Sequence, residues 1–191
     1  MDKIILATHN KHKIQEFERI LTPLGIKVET PDLPEVDEDG KTIYENALKK
    51  AQSAFEYTGL SCVADDTGLM VDALGGAPGV YTARYAGEGY TDKDNRDKML
   101  AALCGVPKDK RTARFATCIA FVSDKVSFTV EGVCEGRITE TDNGLSDFGY
   151  DNIFESEKGV FSAISGKDKD SVSHRGRALA ALVQKIKELN L

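Results

Sequence analysis

The sequence predicts an α/β protein built on a mixed sheet, and three observations carry that expectation. From the N-terminus to about residue 105, short apolar runs of strand length alternate with segments whose apolar residues recur at helical spacing, the pattern of strands joined by helices. Between residues 112 and 134, two stretches instead alternate apolar and polar residues on either side of a polar turn at 123–125, the mark of an antiparallel hairpin. The length, 191 residues, suits one domain, or one domain with two lobes, and is enough to bury a sizeable core.

Taken in order, residues 3–7 form a short buried strand. Residues 11–21 carry Ile14, Phe17, Ile20 and Leu21 at helical spacing, with Pro23 and Gly25 as the stop. Residues 26–30 alternate like a strand, and 31–41 (PDLPEVDEDGK) form an acidic loop. Thr42 and Glu45 make a capping box for a helix to about Thr58, with Ala47, Ala51, Ala54 and Phe55 on one face. Residues 60–64 are the next strand, which the adjacent Asp65 and Asp66 are expected to end, with Thr67-Gly68 permitting a tight turn. Thr91 or Asp92 caps a helix that carries Met99, Leu100 and Leu103 and ends at Gly105 and Pro107. The hairpin follows as 112–122 and 126–134. A polar, glycine-containing loop spans 139–151, and 152–154 and 160–164 are short strand candidates. An amphipathic helix from about His174 carries Leu179, Leu182, Val183, Ile186 and Leu189. With no internal repeat, low-complexity segment or linker, residues 1–191 are expected to form a single domain.

Composition narrows the function. Hydrophobic residues make up 41% and charged residues 29%, an ordinary globular balance. The net charge of −6 disfavours nucleic-acid binding, which calls for a basic surface. No apolar run approaches a membrane span, and MDKIILATHN lacks a signal pattern, so a soluble cytoplasmic protein with no membrane partner is expected. Cys62, Cys104, Cys118 and Cys134 show no C-x-x-C spacing and are expected as buried, reduced thiols. His9, His12 and His174 form no zinc motif.

Three regions carry candidate chemistry. In LATHNKHKIQEF a strand leads through Thr8, His9 and Asn10 into a helix containing Lys11 and Lys13, and free N–H groups at a helix start favour a phosphate; Asn10 serves equally as a plain N-cap and Lys13 as a solvated charge. Asp65 and Asp66 point in opposite directions from a strand, so one can face a ligand while the other pairs within the protein. Glu38 or a neighbour in the acidic loop could join Asp66 around a hard divalent cation. In DFGYDNIF, Phe148 and Tyr150 offer either stacking faces or core packing, and Asp151 a hydrogen-bond acceptor. Further on, KDKDSVSHRGRAL supplies Lys169, Ser173, His174 and Arg175; cations at a helix N-terminus oppose its dipole, so a ligand or an acidic partner is expected to compensate them.

Together LATHNKHK, DGKTIYENALKKA, ADDTGLMVDALGGAPGVYTARYAG, FGYD and SVSHRGRAL resemble, in order and spacing over nearly the whole chain, the inosine triphosphate pyrophosphatase family, the Ham1-like non-canonical purine nucleoside triphosphatases. The resemblance implies a two-lobed Maf/Ham1-like α/β fold around a long mixed sheet with the site in the cleft, and a homodimer. It also implies hydrolysis of inosine, xanthosine and their deoxy triphosphates to monophosphate and pyrophosphate with Mg²⁺. By position, Thr8, His9, Asn10, Lys11, His12 and Lys13 would bind the triphosphate. Asp66 would be the catalytic carboxylate, and Glu38 and Asp66 the Mg²⁺ ligands. Thr67, Phe148, Gly149, Tyr150, Asp151, Lys169, His174 and Arg175 would bind substrate, with Lys50 and Arg84 near the phosphates. Arg175 or a backbone N–H is expected to donate to the 6-keto oxygen of the base. The chain departs from the family pattern around FGYD: Ser146-Asp147 stand where the family usually has two glycines, and Asn152 where it has proline. A related pyrophosphatase with another base preference and a nucleotide-binding module without catalysis are the alternatives.

Overall fold

The computed structural model describes residues 2–191. Its elements run β1 (Lys3–Leu6), α1 (Lys11–Leu21), β2 (Lys27–Glu29), α2 (Ile43–Thr58), β3 (Cys62–Val71), β4 (Pro78–Gly79), α3 (Asp92–Ala102), β5 (Thr112–Val122), β6 (Ser127–Ile138), β7 (Phe154–Ser156), β8 (Gly159–Val160), α4 (Gly166–Val172) and α5 (His174–Glu188), with short 3-10 turns between some of them. The strands hydrogen-bond in the order β2-β1-β3-β5-β6-β7-β8, and β4 pairs with β3. β1 runs parallel to β2 and β3, while β4 on β3, β7 on β6 and β8 on β7 are antiparallel. β5 and β6 are neighbours joined only by residues 123–126, too short for a parallel crossover, so they form the expected hairpin. The sheet is mixed, as expected.

The chain divides into two compact units. The first comprises the chain up to Asp66, Thr117–Gly132 and His174–Leu191. Its strands alternate so that both faces are covered. Ile4, Leu6, Val63, Ile119 and Phe121 face α1 and α5, against Phe17, Leu21, Leu179, Leu182 and Ile186. Ile5, Cys62, Ala64, Cys118 and Ala120 face the other way, against Ala47, Ala51 and Ala54 of α2. Small side chains on both surfaces let α2 lie close to the sheet.

The second unit comprises Thr67–Ala116 and Val133–Ser173. Its core gathers Leu69, Val71, Met99, Leu103, Phe115, Ile138, Tyr150, Ile153, Phe154 and Phe161. The Phe154 ring sits 4.7 Å from that of Phe115 and 4.9 Å from that of Phe161. Buried Arg111 donates to the carbonyls of Leu103 and Val106, just past the end of α3, and to that of Thr139, just past the end of β6.

The helix starts follow their local chemistry. Asn10 caps α1, Thr91 and Asp94 form a reciprocal capping box on α3, and Thr42 caps α2. On α2 the return bond differs from expectation: Glu45 Oε2 accepts from Lys41 N at 2.6 Å, one residue upstream of the cap.

Four other expectations are corrected. β3 does not end at the aspartates; it runs through Asp65, Asp66, Thr67 and Gly68 to Val71, because β4 pairs with Leu69 and Met70 and buried partners meet both carboxylates. Residues 160–164 are mostly a 3-10 turn that drops Phe161 into the core, and β8 covers only Gly159–Val160. β6 extends past Cys134 to Ile138, held by β7. Helix α4 was not expected; Ser165 caps it by accepting from Asp168 N.

Gly132 of β6 lies directly against the start of α5. A Cβ there would lie 2.1 Å from His174 O and 2.3 Å from Ala178 N, so only hydrogen lets the first turn of α5 meet the strand. Gly132→Ala is expected to lower unfolding free energy in urea by about 1–3 kcal/mol, the usual cost of overpacking.

Candidate active site

Asp65 and Asp66 sit mid-strand on β3, and strand alternation sends them to opposite faces of the first unit. Asp65 points toward α1 and α5. Its Oδ1 accepts from Lys13 Nζ at 3.0 Å and its Oδ2 from Arg175 Nε at 3.1 Å. Arg175 also pairs through Nη1 with Glu16 of α1. All of these but Lys13 are buried, and Lys13 is nearly so. Burial alone would raise the Asp65 carboxyl, but Lys13, Arg175 and Lys50 outweigh it and hold the group well below the usual range. Burial likewise works against charge on Arg175, yet Asp65 and Glu16 keep it firmly protonated. At Lys13 burial wins, and its pKa falls below the ordinary lysine value.

Asp66 points toward α2. Its Oδ2 accepts from Asn46 Nδ2 at 3.0 Å, and Lys50 Nζ lies 3.8 Å from its Oδ1. The same ammonium is 2.6 Å from Glu38 Oε1, so it stands between the two carboxylates. Burial pushes the Asp66 carboxyl up and the Glu38 charge adds to that, while Lys50, Asn46 and Lys13 oppose it; the net direction is upward. The loop that carries Glu38 is tied to α2 at several points. Asn46 Oδ1 accepts from Gly40 N at 2.8 Å, and Lys49 Nζ donates to Asp37 O at 3.0 Å and Asp39 Oδ1 at 2.7 Å. A Cβ on Gly40 would sit 2.5 Å from Asn46 Oδ1, so this approach needs glycine.

The expected residues therefore fall into groups. Lys13, Glu38, Lys50, Asp66 and Arg175 come together in the first unit around β3. Asn10 acts as a cap, its Oδ1 accepting from His12 N and Lys13 N at 3.0 and 3.3 Å, with Thr8 Oγ1 accepting from Asn10 N at 3.2 Å. His9, Lys11 and His12 are exposed on the same turn, and His174 is buried at the start of α5. The acidic partners expected for the cationic start of α5 are Glu16 and Asp65. Both take donors from Arg175, through its Nε and Nη1.

The other residues lie in the second unit. Lys169 Nζ donates to Asp151 Oδ2 at 2.6 Å and lies 5.0 Å from the Phe148 ring centre and 5.4 Å from that of Phe161. Of the two expected stacking faces, only Phe148 is half-exposed; Tyr150 is a core residue whose hydroxyl donates to Thr82 O at 2.9 Å. At the departure around FGYD, the Asn152 side chain accepts from Ser146 N and donates to Ser146 O, both at 2.8 Å, and so ties the ends of this loop together. Thr67 is half-buried in β3, and the Arg84 guanidinium lies 5.3 Å from the Tyr81 ring centre.

Two residues of this cluster were missed in the sequence. Glu16 lies three positions after Lys13, and Asn46 four before Lys50; each spacing puts the pair on one helix face, and that signal was available.

The geometry suits a divalent cation. Two carboxylates from separate segments already converge on one positive group, the Lys50 ammonium. Around β3, Lys13, Lys50 and Arg175 face Glu16, Glu38, Asp65 and Asp66, leaving one excess negative charge that would repel a polyphosphate. A divalent ion reverses that sign. No cluster of three or more His, Cys, Asp or Glu gathers among the described residues, and Mg²⁺ characteristically takes only one or two carboxylates besides phosphate oxygens and waters.

Comparison with known proteins follows the same lines. Residues 4–185 match the model of the Ham1 family. The chain is 46% identical over 192 residues to the dITP/XTP pyrophosphatase of Shouchella clausii, covering 97% of each protein. It is 48% identical over 189 residues to the dITP/XTP pyrophosphatase of Geobacter sulfurreducens, covering 95% of each. The solved HAM1 protein of Coxiella burnetii superimposes with a TM-score of 0.86 at 37% identity, covering 98% of this chain and all of that one.

Asp65→Asn removes the counter-charge shared by Lys13 and Arg175. Breaking a buried pair from one side typically costs about 3–5 kcal/mol, and chemical denaturation at neutral pH is expected to show a loss of that order.

Proposed function

We propose, starting from the fact that the chain belongs to the Ham1 family, that it hydrolyses non-canonical purine nucleoside triphosphates, those of inosine and xanthosine and their deoxy forms, to monophosphate and pyrophosphate. The observation that carries the reading is the convergence of Asp66 and Glu38 on one cation, on a strand whose neighbouring aspartate anchors two further cationic side chains.

Lys13 and Lys50 would offset the charge of the triphosphate, and the α1 start from Thr8 to Lys13, with Arg84, would hold it. Glu38 and Asp66 would hold Mg²⁺, which supplies charge stabilisation for the departing pyrophosphate. Asp66 would either serve only to hold the ion and orient the attacking water, or hold the ion through one oxygen and with the other accept the proton of a water attacking the α-phosphorus. Asn46 aims one Asp66 oxygen, leaving the other toward Lys50. Asp65, held far below the ordinary range by its cationic partners, is a poor base and acts as an anchor.

Phe148, with Gly149, Tyr150 and Asp151, would receive the base, and Lys169, Thr67, His174 and Arg175 complete the substrate set. Residues 1–191 would serve as one catalytic domain, working as a cytoplasmic homodimer on a small nucleotide rather than on nucleic acid. No helix among the described residues is long and apolar enough to cross a membrane. The Asn152–Ser146 clasp favours one second reading, a pyrophosphatase of the same chemistry with a shifted base preference.

Pyrophosphate release across inosine, xanthosine and the common triphosphates, with and without Mg²⁺, separates these readings: activity on the first two and dependence on the metal are expected. Asp66→Asn is expected to keep the fold and lower turnover by about 10²–10⁴-fold. Near-normal release from that variant would contradict its role.

A further inference from the structure

Gly149 is gripped at both ends by one turn of α3. Its N–H donates to Asp92 Oδ2 at 2.8 Å, and its carbonyl accepts from Arg96 Nη1 at 2.8 Å. Asp92 and Arg96 are four residues apart and so share a helix face. Each is itself well placed. Asp92 lies in the first turn of α3, where the helix dipole favours a carboxylate. Arg96 is buried and braced by Asp142, whose Oδ2 accepts from its Nε at 2.6 Å. Gly149 has φ +48°, in the left-handed region that favours glycine, so the clamp holds a conformation most residues would resist.

The clamped residue is a pivot between two aromatic side chains of different standing. Tyr150 is fixed in the core of the second unit. Phe148 is half-exposed and backed by the Lys169 ammonium, which also holds Asp151. The backbone setting at Gly149 therefore decides where the Phe148 ring points relative to Asp151.

We propose that Asp92 and Arg96 are positioning residues for nucleobase recognition: without touching the base, they fix the Gly149 backbone and so the Phe148 ring and the Asp151 carboxylate, and they govern base selectivity from α3. This rests on the reading that residues 148–151 receive the base.

The test compares Asp92→Ala with Asp92→Asn. Asp92 is exposed, so its loss leaves no buried charge, and asparagine keeps an acceptor oxygen for the Gly149 N–H. Steady-state pyrophosphate release is measured for dITP and dATP, with near-UV circular dichroism as the check on folding. Asp92→Ala is expected to keep the native spectrum, hold kcat within about 3-fold, raise KM for dITP about 10-fold, and lower the dITP-to-dATP ratio of kcat/KM by about as much, the scale of one charge-assisted hydrogen bond. Asp92→Asn is expected to recover most of that ratio. An unchanged ratio in Asp92→Ala, whether or not stability falls, makes the clamp merely structural and overturns the proposal, as does an Asp92→Asn ratio no better than that of Asp92→Ala. Should Asp92→Ala lose its fold, Arg96→Lys carries the same test, because lysine keeps the charge but not the planar fork that serves Gly149 and Asp142 together. Wild-type protein that releases no pyrophosphate from any triphosphate overturns the functional reading itself, an outcome distinct from an active wild type with an indifferent Asp92→Ala.

Discussion

Two adjacent carboxylates in the middle of a buried strand impose the constraint that the first unit is organised to meet. Asp65 and Asp66 lie on β3, and the pleat forces them to opposite faces. An ionised carboxylate without partners at such a position would be very costly, so each face must supply compensation. On one face α1 and α5 bring Lys13 and Arg175, with Glu16 balancing the second cation. On the other, α2 brings Asn46 and Lys50. The helices thus cover the apolar strands and neutralise the strand's charges at once.

The two faces compensate their carboxylates with different partners. Asp65 has two cationic partners at direct hydrogen-bonding distance, which lock it in its charged form. Asp66 has a neutral amide donor and a more distant ammonium shared with Glu38, and its carboxyl moves up. The same residue type is thus held firmly ionised at one position and shifted toward the neutral form at the next, according to the partners each face supplies. The loop carrying Glu38 joins through Asn46, which holds Asp66 with its amide nitrogen and Gly40 with its amide oxygen. One side chain thus couples the strand carboxylate to the backbone of the acidic loop.

Much of this was legible in the sequence, and the limits have physical causes. The helices α1, α2, α3 and α5 and the start of the hairpin followed from periodicity and caps, which are local signals. The end of β3 did not: Asp-Asp-Thr-Gly has poor intrinsic strand propensity, and pairing with its neighbours β5 and β4, together with donors from the flanking helices, keeps it extended. Tyr150 and Phe148 look alike in FGYD, and no local pattern says that one is core and the other half-exposed. Arg175 was singled out as a cation needing a ligand or an acidic partner, yet that Asp65 and Glu16 both meet it requires knowing that α1 and α5 pack on the same face of β3. The Asn152 side chain, which departs from the family pattern, holds the backbone of residue 146, a contact that no local pattern announces.

The account stands on the α2-facing aspartate being the chemical one. Titration of Mn²⁺, followed by electron paramagnetic resonance with a non-hydrolysable inosine triphosphate analogue bound, compares wild-type protein with Asp66→Asn most directly. Affinity weakened by about 10-fold or more in the variant is the predicted result, the scale on which a change at a metal's ligand sphere acts. An affinity equal to that of the wild type would contradict the assignment and return both aspartates to a purely structural role.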